Sequence, residues 1–157
     1  MMNDELVKKY GKTWRVFSKV VMDFVGSSWL HTGRGHNIPA RLALHILQST
    51  AYYLQDTSIK PLVSGKPFTT NCWDMAEGDL PRQEEIVDYI NVLGGKTEEW
   101  LKTKDLDAEN KAFEWAGTTN AGVILFSFQH CLFHLGELSS LLNESKNGVV
   151  EDHYVNA

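Results

Sequence analysis

The sequence predicts an all-α fold, a four-helix bundle with elaborated loops, on three observations. Apolar residues recur at spacings of three and four in four separate segments, the mark of one buried helix face. No stretch alternates apolar and polar residues for long enough to support a large sheet. The segments are separated by stretches rich in glycine, proline and polar residues, and no internal repeat or low-complexity tract interrupts them. With 157 residues, the chain is expected to be one domain, large enough to fold without a disulfide staple.

The first helix is expected over residues 4–29, where Leu6, Tyr10, Trp14, Phe17, Val20 or Val21 and Phe24 line one face. Residues 26–37, GSSWLHTGRGHN, overlap its end and read as a loop. The second helix is expected over 39–55. Pro39 suits its first turn, where a missing N–H matters least, and Leu44, Leu47, Ala51 and Leu54 form its stripe. A long connection follows over 60–78, holding Pro61, Gly65 and Pro67; a connection of that length is often functional or packed as a small structure of its own. The third helix is expected over 81–102, with Asp79 as N-cap and Ile86, Ile90 and Leu93 on its apolar face. Gly94-Gly95 should bend or break it, because each glycine weakens a helix interior by about 1 kcal/mol relative to alanine. Residues 104–117 are polar, then aromatic, and suit a short helix or a strand pair. The fourth helix, over 120–142, is almost wholly apolar in its first half and should be the most buried. From about residue 144 the tail is polar and expected to fray.

Charge and composition exclude several functions. Fifteen Lys and Arg against twenty Asp and Glu give a net charge of −5. A nucleic-acid binder draws its affinity from phosphate neutralisation, and this chain has neither the charge, a basic stripe nor a helix-turn-helix. The first residues, MMNDELVKKYGKTW, hold acids and no apolar core of a signal peptide. Between Gly117 and Glu137 no Asp, Glu, Lys or Arg intervenes, nearly the length of a membrane span, but Asn120, Ser127, Gln129, His130 and His134 would be costly in lipid. No membrane association is therefore expected. Two cysteines, Cys72 and Cys131, do not make a secreted framework. The expectation is a soluble, cytoplasmic protein.

Six histidines are present. His130 and His134 are four apart in His-Cys-Leu-Phe-His, which puts both on one helix face within reach of a single ion. His45 sits mid-helix among apolar residues, where an imidazole needs partners for both nitrogens and a metal can be one. The pair is not the zinc-peptidase motif, which needs Glu directly after the first His; here that position is Cys131. Three neutral imidazoles leave a tetrahedral divalent ion one open position for water or substrate. They suit zinc, nickel, copper and iron alike. Gln48 and Tyr52 follow His45 by about one and two turns and are candidate pocket residues, with packing between helices as the alternative. Cys131 points about 100° away from His130 and reads as a small buried hydrophobe. His31 and His36 flank a glycine-rich loop and read as surface residues, with an approach to the bundle mouth as the alternative; His153 in the polar tail reads as inert, and the tryptophans as core or interface fillers.

The chain resembles the DinB/YfiT-like metal-binding four-helix bundles along nearly its whole length. The resemblance rests on Arg41-Leu42-Ala43-Leu44-His45-Ile46-Leu47 and on the ending His130, His134, Gly136, Glu137. It implies a bundle, often dimeric, that holds a divalent metal, zinc or nickel, through His45, His130 and His134. It further implies a metal-dependent S-transferase or hydrolase that acts on a small molecule, with a low-molecular-weight thiol as partner. Non-catalytic metal binding, or a stress-response module, is the alternative; a helical dimer without metal is a third. The family often has Gln where this chain has Glu137. Glu137 is a candidate catalytic residue, as a base, or a group that orients a ligand.

Overall fold

A computed structural model describes residues 2–55, 71–149 and 152–156. The fold is all-α. Five α-helices are seen among the described residues: α1 (Met2–Asp23), α2 (Ser28–His31), α3 (Pro39–Leu54), α4 (Gln83–Thr103) and α5 (Asn120–Ser145). Two short 3-10 turns, Cys72–Asp74 and Glu77–Asp79, precede α4. No strand occurs among the described residues, only two isolated bridges, Arg34 with Asn37 and Glu109 with Thr119. Residues 60–70 of the connection predicted over 60–78 lie outside the described residues.

The four long helices touch in a ring. α1 packs chiefly on α4 and α3 chiefly on α5, with α3 also meeting α4 and α1 meeting α5. The side-chain contacts fix their directions. Asn3 Nδ2 donates to Leu101 O and Gln83 Nε2 to Phe24 O, so α1 and α4 are antiparallel. Tyr10 OH donates to Ile124 O while Asp23 pairs with Lys146, so α1 and α5 are parallel. Leu54 shares a surface groove with Trp100 and Thr103 at the far end of α4, so α3 and α4 are parallel too. Parallel neighbours cannot be joined by a tight turn, and this accounts for the long link between α3 and α4.

Helix ends depart from the sequence reading where local chemistry overrides periodicity. The first helix stops at Asp23 rather than reaching Trp29, because Gly26 adopts φ +59° and Ser28 Oγ bonds both the N–H and the carbonyl of Val25. Trp29 sits on the separate turn α2 and donates its indole N–H to Pro81 O. α4 starts at Gln83, not 81. Asp79 belongs to the preceding 3-10 turn, and the Arg82 N–H is capped by Glu85 Oε2 at 2.8 Å. Gly94-Gly95 does not break α4, which runs on to Thr103. Gly94 admits the Trp14 indole: a Cβ there would stand 3.4 Å from Trp14 Cδ1.

The most buried long helix is α3, not α5 as expected. Eleven of the sixteen residues of α3 are buried, against eight of twenty-six in α5. α3 is contacted by α2, α4, α5 and the Cys72–Asp74 turn, whereas Leu125 and Phe133 of α5 face outward. By length and composition α5 would also suffice to cross a membrane. Residues 104–117 form neither a helix nor a strand pair but turns tied to the start of α5. Asn110 N–H donates to Thr118 O, and Asn120 Nδ2 to Asp105 O. The tail folds back on α1: His153 Nε2 lies 3.1 Å from Asp23 Oδ2, and Lys19 Nζ donates to Asn156 O. The His153 side chain is only 10% exposed.

Candidate metal centre

α3 and α5 run antiparallel, and their seam brings His45 against His130 and His134. The ring centroids of His45 lie 5.1 Å from His130 and 4.6 Å from His134, and those two lie 4.4 Å apart. His130 Nε2 and His134 Nε2 are 3.1 Å apart. One ligating nitrogen from each of the three rings falls within 4.8 Å of the others. Nitrogens on one tetrahedral zinc, each at about 2.0–2.1 Å, stand about 3.3 Å apart, so small ring rotations would close these three on a single ion. Three imidazoles so placed could hold one divalent metal ion.

The electrostatics suit the same use. Burial, followed by the neighbouring His134 and His130, pushes the His45 pKa down to about 4. Burial and then His134 lower that of His130. Both rings are therefore neutral at neutral pH, with a lone pair available. His134 Nδ1 stands 2.6 Å from Glu137 Oε2, a short hydrogen bond. Glu137 is thus engaged with a histidine of the cluster.

Residues 72–75 close over His45. Arg41, buried on α3, donates through Nη1 to the carbonyls of Cys72 and Met75. Gln48 Oε1 accepts the Cys72 N–H at 3.0 Å. These anchors seat Cys72 Sγ 3.9 Å from His45 Nδ1 and lay the Trp73 ring 5.1 Å from the His45 ring. Gln48 thereby reaches the site indirectly, by holding the segment that covers His45. Tyr52 does not reach it: seven residues on, it is displaced by about 10 Å along the helix axis. Its ring, 59% exposed, meets Tyr53 and Phe113 instead. Cys131 is buried away from the cluster, its thiol pushed up to about 12 by burial. His31 pairs with Glu77, and His36 stands edge-on to Trp73. Both cysteines are free.

Sequence reasoning missed Arg41, Cys72 and Trp73 as parts of this site. A signal was present for Arg41: a cation inside Pro-Ala-Arg-Leu-Ala-Leu has no solvated face to reach, so it must meet buried acceptors. Replacing it with methionine is expected to leave two carbonyls short of a charged donor and to cost about 2–3 kcal/mol. It should also loosen residues 72–75. The Cys72 thiol, now pushed up to about 11 chiefly by burial, should then react faster with a thiol reagent, which timed labelling would read. Unchanged labelling would show that Arg41 does not hold the segment.

No family model, no curated protein and no solved structure matches the chain.

Proposed function

We propose that this chain is a divalent-metal-binding protein of the DinB/YfiT-like kind, a four-helix bundle. In this reading it acts as a thiol-dependent S-transferase or hydrolase on a small molecule. The observation that carries the reading is the convergence of His45, from one helix, with His130 and His134, from another. The ring of four long helices, with one long link between parallel neighbours, supports the bundle assignment. Zinc or nickel bound there would supply Lewis acidity and one open coordination position to a thiolate or an oxygen of the substrate. The three histidines hold the ion, Trp73 and Cys72 cover the outer side of His45, and Gln48 and Arg41 keep that cover in place.

We further place the protein in the cytoplasm as a homodimer. Leu125 and Phe133, two turns apart on the outer side of α5, are 45% and 66% exposed, an apolar strip that a second copy would cover. The second reading, a metal-holding or stress-response module without turnover, is favoured by one feature: the Glu137 carboxylate is taken up by His134 rather than left as a base.

Protein purified without a histidine tag is expected to carry about one zinc or nickel ion per chain, the stoichiometry of one such site. In a cobalt-loaded sample, 2-mercaptoethanol should produce a thiolate charge-transfer band. A chain that takes up neither metal after incubation with both defeats the proposal. Metal without any response to thiol leaves the non-catalytic reading.

A further inference from the structure

A histidine that ligates through Nε2 must carry its proton on Nδ1, and that proton needs an acceptor. The three rings of the cluster differ in what they are offered. His45 Nδ1 faces the thiol of Cys72 at 3.9 Å, a weak partner at most. The His130 ring stacks on Phe126. His134 alone of the three has a carboxylate within hydrogen-bond distance among the described residues: Nδ1 lies 2.6 Å from Glu137 Oε2 while Nε2 lies 3.1 Å from His130 Nε2. The same ring is thus held by a charge on one side and faces the cluster on the other. The His134 side chain is 16% exposed and that of Glu137 38%, so this contact is partly shielded from water. The i, i+3 spacing on α5 makes the contact local, so it needs no tertiary rearrangement to form.

We propose that Glu137 is a positioning residue, which accepts the His134 Nδ1–H, fixes the ring in the tautomer that turns Nε2 to the metal, and makes that nitrogen a stronger donor. The inference rests on the metal-binding reading above. It replaces the expectation that Glu137 is a base acting on substrate. Carboxylates in this position are oriented by the helix and act through the ligand they touch.

The test compares zinc affinity, by competition with a chromophoric chelator, in the wild type, Glu137→Gln and Glu137→Ala. Glu137→Ala should bind zinc about 10–100-fold more weakly. Glu137→Gln keeps a neutral acceptor for the same N–H and should fall between the two. Both variants should keep wild-type helical circular dichroism, since glutamine and alanine are good helix formers. A long-range proton–nitrogen NMR spectrum of the zinc-loaded wild type should show His134 as the Nδ1–H tautomer with a metallated Nε2. Equal affinity in all three proteins, or metal on His134 Nδ1 or on the Glu137 carboxylate, overturns the positioning role alone. A wild-type chain that binds no zinc overturns both this inference and the function on which it rests.

Discussion

His45→Ala is expected to empty the metal centre while leaving the helices intact. His45 is the sole ligand of the proposed set on α3; the other two come from α5. Without it the ion would keep two nitrogens from one helix and lose the link across the seam. Structural zinc sites bind with about 10–16 kcal/mol, so one ligand of three accounts for about 3 kcal/mol or more, at least two orders of magnitude in affinity. Zinc content after gel filtration should fall from about one per chain to near zero. Alanine is the best helix former, so the circular dichroism of α3 should not change. Zinc retained at the wild-type level would mean that the ion sits elsewhere.

The second large effect concerns stability. Phe17 on α1 is 0% exposed and its ring lies 6.3 Å from that of Trp14. Truncation to alanine removes a buried aromatic at the junction of α1 with its neighbours, at an expected cost of about 3–5 kcal/mol. Against a total of about 5–15 kcal/mol for a domain, that is a large fraction, and the urea midpoint should drop accordingly. The folded fraction should still bind zinc at the wild-type stoichiometry, since no histidine of the cluster is on α1. An unchanged midpoint would show that the space left by Phe17 is refilled by its neighbours.

The sequence made some of this structure visible and concealed the rest for identifiable reasons. The apolar stripe of the first helix, from Leu6 through Phe24, is buried along its whole length, because a 3.6-residue period reports directly which face meets the core. The His130/His134 pair was legible for the same reason, since residues four apart share a face wherever the helix lies. That His45 meets the pair was suggested by an imidazole set mid-helix among apolar residues and strengthened by a resemblance, because nothing local specifies which helix faces which. Arg41 and Cys72 are in contact across thirty-one residues of sequence, beyond any local pattern. Tyr52 shares a stripe with His45 but not a depth, and periodicity does not measure distance along the axis. Helix ends moved where Ser28 and Glu85 satisfied backbone groups, because side-chain capping outweighs periodicity at the boundaries. The tail's attachment to Asp23 comes from charges too far apart in sequence to be read as partners.

The pairing of the long helices has a consequence for how the protein is made. α1 waits for α4, and α3 for α5, so neither early helix meets its main partner until the second half of the chain has emerged from the ribosome. The entropy of closing those long loops must be spent before the contacts that repay it can form. Until then the nascent first half shows the apolar faces of Leu6–Phe24 and of α3 to the surrounding solution. That interval, rather than the finished fold, is where aggregation competes and where a holding chaperone finds its substrate.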